Sequence, residues 1–258
     1  MAIDRRRFIK AVAGLLAGLG VIESNTTPQW TRADAAIRQP TCKIVGVGGA
    51  GCNFVIALSS DAVFNKNDLT TEFIDIDLGK NSLRGIKAVN RDSPDRRSIK
   101  TVLLSKFTKS RINHNHAEVL RMREALRPML ADAQMVILLA GTAGSTGSSV
   151  TPIVARLARE MGAMTVVAAT TPHEGEGEIR VRRSVVAVQA LQREANAVEC
   201  FSAQALMKKV SGDISQNDFL EVQNQLIFAY IRDLIHGHPK VMTADLPHCR
   251  QSEYATRT

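Results

Sequence analysis

The chain is poor in aromatic residues: one Trp, two Tyr and eight Phe in 258 residues. That leaves little with which to build the base-stacking platforms of single-strand nucleic-acid binders. Cysteine is scarce as well. Cys42, Cys52, Cys200 and Cys249 form no Cys-x-x-Cys pair, and no His/Cys cluster has zinc spacing. These four read as thiols packed like small hydrophobes. No apolar run approaches the roughly 20 residues that an ordinary membrane-spanning helix needs. Internal repeats and low-complexity segments are missing too. Acidic residues are in deficit, 25 against 33 basic, for a net charge of +8. Part of the excess sits in Arg5, Arg6, Arg7 and Lys10, and the rest is scattered, as at Arg180, Arg182 and Arg183. Scattered cations favour acidic ligands in general; a nucleic-acid partner would call for a stripe.

What is present suits one sizeable domain. Hydrophobic residues make up 45% of the chain, enough for a full core at this length. From Thr41 onward, short apolar runs alternate with longer amphipathic stretches. Strands are predicted at Lys43–Val47, Glu72–Ile76, Met135–Leu139, Thr165–Ala169 and Ala197–Phe201. Helices are predicted at Asn53–Ser60, Ala117–Leu130, Ser148–Met161, Ile179–Ala195 and Asp218–Ile235. The segment 87–113 has no clean period and reads as an edge strand with a loop. Strands alternating with helices imply an α/β fold, a three-layer parallel sheet with helices on both faces. Such sheets bind ligands at the carboxyl ends of their strands.

Residues 1–36 read as an address and linker. Basic residues lead into the apolar run Ala11–Ile22, and Ala33-Asp34-Ala35 offers a small-x-small cleavage site. Arg5-Arg6-x-Phe8-Ile9-Lys10 resembles the twin-arginine (Tat) signal, with Asp4 where Ser or Thr is usual. This implies handling by the Tat machinery and export of the folded protein to the periplasm; a signal left unused would leave it cytoplasmic. Residues 251–258 read as a loose polar tail.

Two glycine-rich loops follow strands and open helices. The first is Gly46-Val47-Gly48-Gly49-Ala50-Gly51-Cys52-Asn53 and the second is Gly141-Thr142-Ala143-Gly144-Ser145-Thr146-Gly147-Ser148. Small residues let backbone approach a phosphate, and a helix start offers free N–H groups and partial positive charge. Gly46, Gly48 and Gly51 fit G-x-G-x-x-G, and Asp77 ends the next strand. Taken alone, this first loop also fits an NAD-type dinucleotide fold. A second such loop suggests one nucleotide shared between the two. A third segment, Thr170 to Arg180, supplies carboxylates for ribose hydroxyls and an arginine for phosphate.

These three segments, in this order, resemble the tubulin/FtsZ family. Gly46–Asn53 is similar to the family's Gly-Val-Gly-Gly-Gly-Gly-Gly-Asn. Ala143–Ser149 aligns with Gly-Gly-Gly-Thr-Gly-Thr-Gly through Gly144, Thr146 and Gly147. Thr170, Pro172, Glu176, Gly177 and Arg180 meet the family's third pattern. The likeness spans roughly residues 41–250 and implies a Rossmann-like GTP-binding domain over 37–250. It implies GTP or GDP, and allows Mg²⁺ beside it, held by Gly48, Gly49, Ala50, Gly51 and Asn53, and by Gly141, Gly144, Ser145, Thr146 and Gly147. Asp77 stands where the family's Asn-Thr-Asp begins, Glu176 falls on the ribose, Arg180 near the nucleotide and Asn224 against the guanine.

The departures are as specific. Lys106–Arg111 has no glycine where the family senses the γ-phosphate, so Lys109 or Arg111 would substitute charge for backbone donors. Ala203 replaces a guanine-contacting asparagine. The family's water-orienting Asn-x-Asp-x-x-Asp, which enters the neighbouring subunit, becomes Thr243-x-Asp245-x-x-His248, leaving Asp245 as the catalytic candidate. The family's C-terminal domain is expected to be absent. Together these imply GTP binding with weak or partner-dependent hydrolysis, and a tie to cell division or filament regulation through an FtsZ-like partner or self-association. Two alternatives stay open: an exported NAD-type oxidoreductase, and a nucleotide-free interaction scaffold.

Overall fold

The computed structural model describes residues 41–59, 70–78, 99–108, 113–209 and 215–236. The expected leader and tail, Lys109, Arg111, Asp245 and Cys249 lie outside them. Strands β1 (Thr41–Val47), β2 (Thr70–Asp77), β3 (Ile99–Leu103), β4 (Met135–Gly141), β5 (Met164–Thr171) and β6 (Ala197–Ser202) form one parallel sheet in the order β3-β2-β1-β4-β5-β6. Helices α1 (Gly48–Ser59), α2 (His116–Leu130), α3 (Ser145–Glu160), α4 (Glu178–Glu194), α5 (Ala203–Lys209) and α6 (Gln216–His236) connect and cover it.

The central strands are apolar because both their faces are covered. In β4, Ile137 and Leu139 pack with α1 and α6, while Val136 and Leu138 pack with α2, α3 and α4. That is the three-layer arrangement expected from the alternating pattern. On the α6 side, Phe201 and Tyr230 meet edge to face, with ring centroids 5.7 Å apart. None of the helices among the described residues is long and apolar enough to cross a membrane.

Two differences from the sequence expectation have one cause. The helices expected from Asn53 and Ser148 begin at Gly48 and Ser145, so each loop's second half is already helical. Glycine's low helix propensity argues against this, but tight packing against the neighbouring strand overrides it. Cys42 and Cys52 are buried free thiols as expected. Cys200 corrects the four-thiol reading, because its sulfur is disulfide-bonded.

Polar anchors fix the ends of the sheet. Lys43 is buried, donates to the Met129 carbonyl at 2.9 Å and pairs with Glu72 at 3.3 Å. Burial alone would raise the Glu72 carboxyl, but the Lys100 and Lys43 ammonium groups outweigh it and hold it below the usual range. Helix α2 starts in a reciprocal cap: Asn115 Oδ1 accepts from Glu118 N–H at 2.9 Å, and Glu118 Oε2 accepts from Asn115 N–H at 3.0 Å. Asn115→Ala is expected to cost about 1 kcal/mol, read as a lower urea midpoint with an unchanged slope.

Candidate functional site

The sheet reverses its winding between β1 and β4, the neighbouring strands at its centre. A crevice opens at the carboxyl ends of strands where such a reversal occurs. Here it is a cleft of about 1010 Å³. Of the residues expected to bind a ligand, Gly48, Gly49, Ala50, Asn53, Asp77, Gly141, Gly144, Ser145, Thr146, Gly147, Glu176, Arg180 and Asn224 line it. Gly51 lies buried beneath, as part of the loop's floor.

The two loops touch. A side chain built on Gly48 would begin 2.9 Å from Gly147 N, and Gly48 itself has φ +73°, a region that favours glycine. At Gly51 a β-carbon would fall 2.2 Å from the Leu139 carbonyl oxygen, and at Gly147 2.2 Å from that of Gly141. Glycine is required here by close backbone approach. The outcome is two helix starts side by side, from β1 and from β4.

Both helix starts are left open to an anion. Gly144, the residue preceding α3, offers no side-chain cap, and neither α1 nor α3 carries an acid in its first turn. The first N–H groups of a helix have no intrahelical partner and carry partial positive charge. Those of Ser145, Thr146 and Gly147 sit on the cleft wall.

Hydroxyl groups fix the second loop from both sides. Thr146 Oγ1 donates to Asp77 Oδ1 at 2.9 Å, and Leu78 N–H donates to the same oxygen at 2.6 Å. Thr142 Oγ1 donates to the Thr170 carbonyl at 2.8 Å, so Ser184, whose hydroxyl lies 2.6 Å away, donates to Thr142. From α4, Arg183 donates to the Ala143 carbonyl at 3.0 Å. The segment before α2 takes a different course. Lys106, Phe107 and Thr108 do not line the cleft. Thr108 bonds instead to His114, which reaches Ser149 on α3, both at 3.1 Å. Burial holds that imidazole below its usual value, against the pull of Glu118.

The third segment begins at Thr170, beside Gly141 in register. Glu176 accepts from His173 N–H at 3.2 Å and pairs with Arg180 at 2.8 Å. Arg180 is thus half-neutralised before any ligand arrives. The far wall comes from Ala203 and Met207 on α5 and from Gln216, Phe219, Leu220, Gln223 and Asn224 on α6. Sequence reasoning named Asn224 and missed Phe219 and Gln223. The signal was available: Phe219 is an aromatic residue in a chain nearly without them, one helical turn before Gln223.

Under the first loop lies a second acid, Asp75. It is fully buried and neither carboxylate oxygen makes a geometrically sound hydrogen bond. Burial pushes its pKa up to about 8; the Cys52 thiol opposes the rise and the Asp77 charge adds to it.

Two outcomes follow from this packing. Gly147→Ala is expected to lower stability by about 1–3 kcal/mol through overpacking. Gly144→Ala, whose nearest contact would be 3.8 Å away, stays within about 0.5 kcal/mol; urea unfolding of both variants checks the contrast. Asp75→Asn removes a group whose folded pKa, about 8, exceeds its ordinary 3.8. The folded wild type holds a proton that the unfolded chain has released, so its stability falls as pH rises from 4 to 8 and levels off above. The slope is at most about 1.4 kcal/mol per pH unit. The variant should therefore gain on the wild type through that window, in unfolding curves collected at pH 4.5, 6 and 8.

With this geometry in place, comparisons with known proteins agree on one family. The model of the Tubulin/FtsZ family, GTPase domain, matches residues 41–211. Cell division protein FtsZ 1 of Halobacterium salinarum is 24% identical over 221 residues, which cover 81% of this chain and 52% of that protein. Cell division protein FtsZ of Neisseria gonorrhoeae is 25% identical over 216 residues, 82% of this chain and 50% of its own length. The chain thus spans about half the length of these curated relatives. Among solved structures, the W319Y mutant of FtsZ from M. jannaschii superposes with a TM-score of 0.61 at 18% identity, over 81% of this chain and 60% of that one. The GTPγS-bound protofilament structure of CetZ2 from Haloferax volcanii gives 0.59 at 20% identity, over 79% and 60%. A parallel sheet whose two glycine loops meet at the winding reversal, together with a family match across most of the domain, places this chain in the tubulin/FtsZ family.

Proposed function

We propose that the cleft binds a guanine nucleotide, GTP or GDP, and that hydrolysis is weak or depends on a partner. The observation that carries this reading is the pair of uncapped, acid-free helix starts opening side by side onto one cleft. Their N–H groups would hold the phosphates. Glu176 lies where a ribose hydroxyl could donate to it. Phe219 offers a ring face for the base, with Gln223 and Asn224 to read its edge. Among the described residues, no group of three His, Cys, Asp or Glu is placed to hold a metal ion.

The hydrolytic half rests on sequence. Asp77 and Glu176, the acids of the cleft wall, are already engaged by Thr146 and Arg180. The water-orienting group would come from another subunit, as Asp245 of a second copy or from an FtsZ-like partner. The relatives' names, cell division proteins and a protofilament, support a role in division or filament regulation. Export through the Tat route remains part of this proposal and rests on sequence: Arg5, Arg6, Phe8, Ile9 and Lys10, with the apolar run Ala11–Ile22 and the small-x-small site behind them. The NAD-type reading leaves the second glycine loop and the Glu176–Arg180 pair on the cleft wall unexplained.

Mass spectrometry of the denatured supernatant from folded protein is expected to find GDP or GTP. Added guanine nucleotide at a hundredfold excess over Kd should stabilise the fold by about 2.7 kcal/mol, with NAD inert. Phe219→Ala should weaken binding by about 1–3 kcal/mol, the usual worth of a base–aromatic stack. Thermal stability that stays flat across GTP, GDP, ATP and NAD would sink the reading in favour of a ligand-free scaffold.

A further inference from the structure

The nucleotide reading leaves the acid beneath the first loop unused. A side chain on Gly46 would begin 2.5 Å from Asp75 Oδ1 and 2.4 Å from the Gly51 carbonyl oxygen. The Asp75 carboxyl therefore occupies the space a side chain on Gly46 would need, beneath the first loop. It is fully buried, and neither oxygen makes a geometrically sound hydrogen bond; the Cys52 thiol beside them is a weak donor.

Among the described residues, no cation acts on it. From α1 it faces the Cys52 thiol, itself pushed upward by burial and by Asp75 and Asp77. Along its own strand the nearest charge is Asp77. The residues beside it in register are uncharged, Gly46 on β1 and Thr101 on β3. A phosphate on the loop and a charged Asp75 would compete for the same helix start from opposite sides.

We propose that Asp75 links nucleotide binding to a proton: the loop takes a polyphosphate while Asp75 is the neutral acid, and ionisation of Asp75 weakens the hold. This rests on the nucleotide reading of the cleft and adds a positioning residue to it. Were a phosphate charge to bind on the order of 8 Å from the carboxylate, an effective dielectric of about 20 would give an opposition of roughly thirtyfold in affinity. Burial sets the point of change near pH 8. The neutral acid also has a donor to offer, where the ionised form has only acceptors.

The test is calorimetric titration of the full chain with GDP from pH 6.5 to 9.5, for the wild type and Asp75→Asn. Asparagine keeps the shape of the neutral acid and does not titrate. Wild-type affinity should drop by roughly ten- to thirtyfold relative to the variant as pH passes 8, which also cancels any titration of the nucleotide itself. At pH 8 to 8.5, titration in buffers of different ionisation heat should show a fraction of a proton taken up per GDP by the wild type and less by the variant. If the variant does not fold, the wild-type uptake decides alone. Parallel pH profiles and no proton uptake, with GDP still bound, overturn the linkage and leave the nucleotide reading standing. Absence of GDP binding to the wild type at every pH overturns the nucleotide reading and the linkage with it.

Discussion

Everything at the carboxyl edge of this sheet depends on how closely its backbone segments approach one another. Gly51 packs against the Leu139 carbonyl, Gly147 against that of Gly141, and Gly46 against that of Gly51. Each contact leaves no room for a β-carbon. Without them α1 and α3 could not start so near β1 and β4, and their free N–H groups would not share one cleft. The site is thus a consequence of sheet packing, and its donors need no side-chain rotamer to be held in place. Such preorganisation suits an anion, because the donors need not be ordered when the ligand arrives.

Charge in the cleft is arranged in the same spirit. Arg180 is paired with Glu176, and Asp77 is bonded to the second loop. Among the described residues, Arg180 is the one Lys or Arg on the cleft wall, so a phosphate held there would be drawn mainly by oriented backbone dipoles. That makes the site sensitive to any charge beneath it. A buried carboxyl with no strong donor, as at Asp75, is costly to ionise, and its neighbours supply a thiol and another acid. A fold with strong side-chain cations at the phosphates would hide one such group; a backbone cradle does not.

The sequence made the fold legible where chemistry was local. All-apolar runs marked β4 and β5 because both their faces are covered. Glycine clusters after strands marked the loops, and Asp77 marked the end of β2. Helix starts were misread at Gly48 and Ser145, since propensity counts glycine as a breaker and cannot see the neighbouring strand. The wall opposite the loops was the hardest part. Phe219 and Gln223 occupy it because α6 crosses the sheet at a particular angle, which a residue pattern does not encode. Asp75 escaped notice for a related reason. In the run Phe73-Ile74-Asp75-Ile76-Asp77 it reads as the polar half of an alternating strand, and only the packing of α1 over that face turns it into a buried acid.

Binding and hydrolysis separate cleanly in such an architecture. The donors for a phosphate come from loops that the sheet itself fixes, so they exist in a single copy of the chain. A group that orients an attacking water would stand beyond the last phosphate, and the described acids of the cleft wall, Asp77 and Glu176, are bonded to Thr146 and Arg180. Thr108 bonds to His114, which reaches Ser149 on α3. A partner surface that supplied such a group would meet the cleft mouth where Met207 and Leu220 are about half exposed, at 47% and 45%. Apolar side chains at the rim of a polar cleft are better covered than hydrated. A surface that covers them could carry the missing group, and turnover would then be set by that encounter more than by the affinity of the cleft.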